Sequence, residues 1–206
     1  MSLHLIDHPV IRERLTRIRS VDSGTAVFRA ALHDVSRLLC YEVTRDFETA
    51  PVPVITPLCE TVGHRLARPV VLAPILRAGM GMLHGFTEIL GDSAIGTIGL
   101  ERDEQTLEAR RYHFRMPGDL SECEIILIDP MLATGGSSAD AVDELKREGA
   151  RRIRFACLIA APEGVAAFTA RHPDVPVYAA ALDERLDERA YIVPGLGDAG
   201  DRYFAT

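Results

Sequence analysis

Residues 124–150 constrain the fold of this chain more than any other segment. The segment opens with a continuous apolar run, residues 125–128, that stops at Asp129 and Pro130. An apolar run without alternation is typical of a strand buried on both faces of a parallel sheet, and proline cannot donate to a sheet ladder. Apolar residues at helical spacing follow over residues 139–145, and Gly149 is the predicted C-cap. The segment therefore predicts a strand, a carboxylate, a short loop and a helix.

This order of elements suits a phosphorylated sugar as ligand. A helix start offers unpaired N–H groups and the positive end of the helix dipole, and both attract phosphate. The loop supplies two glycines and three hydroxyl side chains: Gly135, Gly136, Thr134, Ser137 and Ser138. Asp129 follows a strand, where open α/β sheets bind ligands, and it would accept hydrogen bonds from sugar hydroxyls. Taken alone, these residues leave an ordinary strand-to-helix turn as an alternative.

The basic residues exclude some chemistry. Of the 23 lysine and arginine residues only Lys146 is a lysine, and it lies too far into the predicted helix for a G-x-x-x-x-G-K-[ST] loop. A G-x-G-x-x-G string after a strand is also absent. Schiff-base chemistry at lysine is therefore disfavoured, and contacts to anions are expected from arginine or from the backbone.

Three strings resemble those of a known enzyme family. DPMLATGGS, at residues 129–137, closely resembles the loop of phosphoribosyltransferases that binds 5-phosphoribosyl 1-diphosphate (PRPP), in the form used by the uracil phosphoribosyltransferase family. YIVPGLGDAGDRYFAT, at residues 191–206, is similar to the uracil-binding end of that family, and PILRAG, at residues 74–79, is a third match. The resemblance spans nearly the whole chain, with the motifs in the family's order.

The resemblance implies a set of substrate contacts. It places PRPP on Arg77, Arg102, Asp129, Pro130, Met131, Leu132, Ala133, Thr134, Gly135, Gly136, Ser137 and Asp198. It places uracil on Ile192, Gly197, Asp198 and Ala199. Arg102, Asp129 and Asp198 are the implied catalytic residues. Mg²⁺ is expected to arrive mainly with the diphosphate, because the seven histidines show no metal-like spacing and no protein metal ligand is predicted.

A polar segment at residues 101–112 separates two predicted strands, the first at residues 94–100. It is either a solvated hairpin or a mobile flap that closes over the substrate and excludes water. The resemblance implies the flap, with Arg102 as its PRPP-contacting arginine. Many family members have an aromatic residue where this chain has Glu101, and proline where it has Ala109.

The N-terminal part is predicted to hold two helices and an extended arm. The first helix covers residues 9–18 and the second starts at Asp22 and Ser23. Four arginines of the first helix region are interpreted as a solvated face: Arg12, Arg14, Arg17 and Arg19. Residues 50–69 are rich in proline and extended, which predicts an edge hairpin. In the resembled family such an arm takes part in dimerisation, which implies a homodimer or a larger homo-oligomer.

Three glycines within residues 195–200 predict an irregular C-terminal loop, anchored to the core by Tyr191 and by Tyr203 and Phe204. A rigid loop of this kind exposes backbone donors and acceptors. Uracil offers an acceptor at O4 and a donor at N3, and cytosine reverses them. Such a loop can therefore select uracil, because the wrong base leaves buried groups unpaired.

Composition and element order complete the prediction. The net charge of −7 argues against nucleic acid or an anionic membrane as partner, and four scattered cysteines without a signal segment favour a cytoplasmic protein. Strands and helices alternate over residues 70–180, which predicts a doubly wound, mainly parallel α/β sheet.

We expect one domain with three parts: N-terminal helices and β-arm (1–69), PRPP-binding core (70–180) and base-binding hood (181–206). The expected reaction is uracil plus PRPP to UMP plus diphosphate. Transfer to another nucleobase, or ligand sensing without catalysis, remain alternatives. Activation by GTP, known for some family members, has no motif in the sequence.

Overall fold

The computed structural model describes residues 3–102 and 109–206. Within these ranges it describes every side chain except those of residues 101, 102 and 109–111. The strands are β1 Leu3–Leu5, β2 Thr49–Ile55, β3 Glu60–Leu66, β4 Val70–Leu76, β5 Ala94–Ile95, β6 Thr97–Arg102, β7 Ala109–Arg115, β8 Glu124–Ile128, β9 Met131–Leu132, β10 Arg152–Ala160, β11 Val177–Leu182, β12 Arg185–Leu186 and β13 Ile192–Val193. The helices are α1 Pro9–Arg19, α2 Thr25–Val43, α3 Met80–Ile89, α4 Gly136–Arg147, α5 Pro162–Arg171 and α6 Ala199–Phe204.

The central sheet follows the order β1-β11-β10-β8-β4-β6-β7, with β5 beside β4 and β9 beside β10. Strand pairs along this path are parallel except β6 and β7, which run antiparallel. The predicted α/β fold with a mainly parallel sheet is confirmed. The strand predicted at residues 94–100 is divided between β5 and β6.

Two hydrophobic cores cover the two faces of the sheet. Ile126 and Ile128 of β8 belong to the core that also contains buried residues of α1, α2 and α3. Ile125 and Leu127, which alternate with them, belong to the core that contains residues of α4 and α5. Helices therefore pack on both faces, and the continuous apolar run of β8 arises because each of its faces is buried.

The N-terminal region differs from the prediction in two details. The first helix is confirmed, and the His8 ring caps it by accepting a hydrogen bond from the Val10 N–H at 3.2 Å. The second helix starts later than Asp22 and Ser23, with Gly24 at its N-cap. Strand β1, which pairs with β11, was not predicted, because its three residues are too few for a periodic pattern.

The predicted β-arm is confirmed as an antiparallel hairpin of β2 and β3 that forms a two-stranded sheet of its own. Its outer part exposes large apolar side chains, with Ile55 83% and Leu58 94% accessible. Within the described residues, none of the helices has both the length and the apolar character needed to cross a lipid bilayer.

Helix α4 ends in a small polar cluster. Lys146, in its last turn, pairs with Asp174 at 2.8 Å, and its Nζ lies 3.2 Å from Nδ1 of His172. The His172 ring is buried, and its Nε2 lies 3.0 Å from the carbonyl oxygen of Ala139. The single lysine therefore lies at the end of α4 opposite the loop of residues 129–137.

Candidate active site

The carboxyl ends of β4 and β8 form the crevice around which the candidate site is built. The two strands are parallel neighbours, with Pro74 opposite Ile128. The chain leaves β4 into α3 on one face of the sheet and leaves β8 into α4 on the other. Doubly wound sheets bind ligands at such a point, because the connections diverge there and leave a gap.

The loop between β8 and α4 takes its shape from backbone conformation. Gly135 is the N-cap of α4 with a left-handed φ of +82°, and no side chain caps the helix. A Cβ on Gly135 would lie 2.8 Å from the carbonyl oxygen of Gly164. Both features require glycine. The first-turn N–H groups of α4 are thus left for a ligand, as an anion site needs.

Gly164, at the start of α5, supports this loop and was not predicted from the sequence. A Cβ there would lie 2.2 Å from the carbonyl oxygen of Ala133 and 2.7 Å from that of Leu132. A glycine directly after the Pro162–Glu163 helix start was the available signal. The loop therefore rests on the backbone of the neighbouring helix.

The side chains of the loop point in different directions. Thr134 and Ser137 are exposed, whereas Ser138, which was also predicted to supply a hydroxyl donor, is only 3% accessible. Pro130 and Leu132 are buried, and their carbonyl oxygens accept hydrogen bonds from the N–H groups of Leu158 and Ala161. We therefore expect this loop to contact a ligand mainly through the backbone N–H groups at the start of α4.

Asp129 follows β8 and lies partly buried in the crevice. Its Oδ1 accepts a hydrogen bond from the Met131 N–H at 3.3 Å. Burial raises the pKa of Asp129 to about 7, the negative charge of Asp198 also raises it, and the Met131 N–H lowers it. The two carboxyl groups predicted as catalytic are therefore electrostatic neighbours.

Arg77 follows β4 directly, after a cis peptide bond between Leu76 and Arg77. Its guanidinium carbon lies 5.5 Å from the ring centre of Phe204 in α6. A Cβ on Gly79 would lie 2.4 Å from the carbonyl oxygen of Ile128. The loop after β4 is thus packed between the end of β8 and the C-terminal helix.

The flap prediction is not decided. Arg102 ends β6, but its side chain and those of Glu101 and Ala109 lie outside the described ones, as do residues 103–108 altogether. The role of Arg102 stays a prediction.

Asp198 connects the C-terminal segment to the crevice. It is the N-cap of α6, and its Oδ1 accepts a hydrogen bond from the Asp201 N–H at 2.9 Å. A Cβ on Gly200 would lie 3.2 Å from this oxygen and 3.8 Å from Cβ of Ala78. Of the predicted uracil contacts, Ile192 and Ala199 are buried and Gly197 has a φ of +78°. The structure thus brings the PILRAG, DPMLATGGS and C-terminal strings together.

Two expectations for the C-terminal segment are wrong. It is not irregular throughout, since Ile192–Val193 forms β13 and α6 starts at Ala199. Tyr191 is 47% accessible and does not anchor the segment, whereas Tyr203 packs against the core as expected.

An ion pair between Arg19 and Asp183 is the unpredicted anchor of this segment. The Asp183 side chain is 2% accessible and pairs with both terminal nitrogens of Arg19. Arg19 also donates to the Gly195 carbonyl oxygen at 2.7 Å, and Asp183 accepts from the Gly195 N–H at 2.9 Å. The interpretation of Arg19 as a solvated residue is therefore wrong, while Arg12 is exposed as expected.

Arg202 provides a second anchor. It donates to the carbonyl oxygens of Leu196 at 2.9 Å and Ser20 at 2.7 Å, and its guanidinium carbon lies 4.6 Å from the ring centre of Phe28. Burial lowers the pKa of Arg202. The segment is thus fastened to the junction of α1 and α2 by side chains from distant parts of the chain.

Comparison with known proteins agrees with this geometry. The family model for uracil phosphoribosyltransferase matches residues 5–206. The uracil phosphoribosyltransferase of Ligilactobacillus salivarius is 51% identical over 203 residues, covering 98% of this chain and 97% of that protein. That of Staphylococcus aureus is 50% identical over 205 residues, covering 99% and 98%.

Solved structures extend the likeness to the fold. A protein from Aquifex aeolicus superimposes with a TM-score of 0.93 at 32% identity, covering 99% of this chain and 98% of its own. The purine phosphoribosyltransferase of Pyrococcus horikoshii has the same fold, with a TM-score of 0.52 at 20% identity over 74% of this chain and 84% of its own. With the three strings converging on one crevice and the family model spanning nearly every residue, the chain belongs to the uracil phosphoribosyltransferase family.

Proposed function

We propose that this chain is a pentosyltransferase that joins uracil to the ribosyl carbon of PRPP, yielding UMP for pyrimidine salvage and diphosphate. The observation that carries the proposal is that the loop of residues 129–137 lies beside the C-terminal segment. The two are close enough for the charge of Asp198 to raise the pKa of Asp129. In the reaction the N1–C1′ bond forms, the C1′–O bond to diphosphate breaks, and the N1 proton leaves. The transition state has oxocarbenium character at C1′.

The PRPP half of the proposal uses the loop after β8. The N–H groups over residues 133–137 hold the 5′-phosphate, since the start of α4 carries no side-chain cap. Asp129 accepts hydrogen bonds from the ribose hydroxyls. Arg77 and Arg102 stabilise the negative charge that develops on the leaving diphosphate. Preorganised positive charge of this kind is usually the largest contribution to catalysis.

The uracil half uses the C-terminal segment. Backbone groups of Ile192, Gly197 and Ala199 read the edge of the base, and Asp198 orients it and accepts the N1 proton. Rigid anchoring by Arg19 and Arg202 supports this role, because selection by hydrogen bonding requires groups that do not adapt to the wrong base.

Mg²⁺ is part of the proposal. We expect the ion to arrive mainly with the diphosphate of PRPP, and Asp198 to reach the PRPP side through this ion or through ordered water. Among the described residues, neither Asp129 nor Asp198 belongs to a three-residue group that could hold a metal ion. When bound, the ion would neutralise charge on the diphosphate.

The test is release of diphosphate from PRPP with Mg²⁺ in the presence of uracil, cytosine, hypoxanthine, xanthine or orotate. We expect turnover with uracil alone. Turnover with another base would contradict the assigned base site and leave the PRPP site standing. Failure with every base, in folded protein that binds UMP, would support ligand sensing instead. Parallel samples with GTP test activation by GTP, which we include on family resemblance.

We also propose a homodimer or larger homo-oligomer formed through the β-arm. Ile55 and Leu58 are almost fully exposed in the isolated chain, as expected for an interface. Leu58→Asp should shift sedimentation toward the monomer. Val21→Asp, at a residue that is 93% accessible outside the arm, is the control. An unchanged oligomer in Leu58→Asp would contradict the arm as interface.

We propose a cytoplasmic location, because the four cysteines are free thiols.

A further inference from the structure

A group of imidazole and carboxylate side chains lies outside the crevice, on the packed surfaces of α2 and α3. Donor atoms of His33, His84 and Glu88 all lie within 4.8 Å of one another. His84 and Glu88 are one turn apart on α3, and His33 is on α2. The proposed reaction uses none of them.

Close packing of the two helices brings His33 to this position. A Cβ on Gly85 would lie 2.6 Å from Cβ of Ser36 and 2.7 Å from the carbonyl oxygen of His33. Only glycine allows this approach. The rings of His33 and His84 consequently stack, with centroids 4.6 Å apart and planes 14° from parallel.

Two of the three separations between donor atoms are close to those around a single metal ion, and the third is no more than 4.8 Å. Nε2 of His33 lies 3.2 Å from Oε2 of Glu88, and Nε2 of His84 lies 3.7 Å from Oε1. Tetrahedral Zn²⁺, with bonds of about 2.0–2.1 Å, separates its ligand atoms by about 3.4 Å. The fold therefore brings three ligands close together, and the exposed His84 ring must turn out of the stack to direct its Nε2 at the same ion as His33.

The state of the His33 ring also points to a ligand. Its Nε2 is enclosed and has no aligned hydrogen bond in the described structure, although Glu88 is close. A buried polar atom without a partner is costly, and a metal ion would satisfy it. Arg37 disfavours metal binding, since its Nε is 3.2 Å from Glu88 Oε2 and its charge competes for the carboxylate.

We propose that His33, His84 and Glu88 form a Zn²⁺ site that links α2 to α3. Two imidazoles and one carboxylate are typical ligands of zinc and leave a fourth position for water. Mg²⁺ is disfavoured because it prefers oxygen ligands in octahedral geometry. This site is separate from the one proposed for the diphosphate.

The experiment is a titration of the full chain with Zn²⁺, without PRPP or Mg²⁺, followed by calorimetry and thermal unfolding. We expect one ion per chain, and a rise in Tm of about 5 °C at a Zn²⁺ concentration 100-fold above Kd. His84→Ala and Glu88→Gln should each weaken binding about 10-fold or more, because each removes a direct ligand. Arg37→Gln should strengthen it, since it removes a competing cation.

Two control variants separate this site from nonspecific binding. His64→Ala removes another exposed histidine, and Cys59→Ser removes the exposed thiol, so both should bind Zn²⁺ as the unmodified chain does. His84 is 69% accessible, so His84→Ala should fold normally, and its metal-free Tm checks this. Absence of binding to the unmodified chain, or equal binding by His84→Ala, would overturn the proposal.

Discussion

The two halves of the crevice are built in opposite ways. The PRPP-type loop, residues 129–137, is contiguous and takes its shape from backbone conformation at Gly135 and close packing on Gly164. The C-terminal segment, residues 192–204, is held by hydrogen bonds from side chains that are distant in sequence, such as that of Arg19. A phosphate is a simple, symmetrical target for N–H groups, whereas a base must be held by groups fixed at several points. The difference shows how much of each half depends on the rest of the fold.

The largest effect is expected from Asp198→Asn, which tests what the C-terminal half contributes to chemistry. Asparagine is as good an N-cap as aspartate, so α6 is kept while the charge is lost. We expect kcat to fall about 100-fold or more, because a positioned proton acceptor is removed. Steady-state kinetics with uracil and PRPP measure this. Asp201→Asn, which removes an exposed carboxyl in the same helix, is the control. Near-normal turnover in Asp198→Asn would contradict the proposed role of Asp198.

Gly135→Ala tests the backbone nature of the PRPP half. The new Cβ would meet the Gly164 carbonyl oxygen at 2.8 Å, in a left-handed conformation that disfavours alanine. We expect kcat/KM for PRPP to fall about 100-fold, since a misplaced loop loses its alignment with the phosphate.

The matched control is Gly149→Ala, at the other end of α4. Gly149 also has a positive φ, of +92°, but nothing lies within 4 Å of its Cβ position. This variant should lose about 1 kcal/mol of stability and keep its kcat/KM. Equal activity in the two variants would show that the contact with Gly164 is unimportant.

Arg19→Gln tests the long-range anchoring of the C-terminal half. The variant leaves the buried Asp183 carboxylate without its charged partner, and we expect a loss of about 2–4 kcal/mol in the free energy of unfolding. KM for uracil should rise while KM for PRPP changes little. Urea unfolding and kinetics measure both effects.

Arg12→Gln is the control for the anchor, because Arg12 pairs with Asp7, which lies just before the same helix, and both side chains are mostly exposed. Its stability should stay within about 0.5 kcal/mol of the parent chain. Similar losses in both variants would argue that the base site does not depend on the Arg19–Asp183 pair.

Where the two halves meet, we expect the stability of the chain to depend on pH. Burial raises the pKa of Asp129 to about 7, so the folded chain keeps a proton that the unfolded chain releases near pH 4. Because the folded state binds more protons in this window, the contribution of Asp129 to stability is lost as pH rises from about 4 to about 7.

Asp129→Asn does not titrate, so its stability relative to the parent chain should increase across the same window. Urea unfolding of the ligand-free proteins at several pH values measures this difference. Adding Asp198→Asn to the parent chain should narrow the window, because the charge of Asp198 also raises the pKa of Asp129. A difference that is constant with pH would contradict the raised pKa.

The sequence predicts the PRPP half well because its information is local. An apolar run, an aspartate, two glycines and a helix pattern follow one another, and the structure has these elements in this order. Even the burial of Ser138 could have been predicted, since it is on the same helical face as Val142 and Leu145.

The anchors of the C-terminal half could not be predicted in this way. Arg19 and Asp183 are 164 residues apart, and nothing in the arginine-rich pattern of the first helix distinguishes Arg19 from Arg17. Their pairing depends on how α1 lies against the end of β11, which is a property of the packed sheet. The same reason hides the proximity of His33 to His84.

The single lysine has a practical consequence for work with this protein. Lys146 lies ten residues beyond Gly136, so the rise of the helix places it about 15 Å from the first turn of α4. Amine-reactive dyes and coupled supports have no other lysine side chain to react with. Apart from reaction at the terminal amine, labelling or immobilisation therefore attaches the molecule at the end of α4 opposite the loop of residues 129–137.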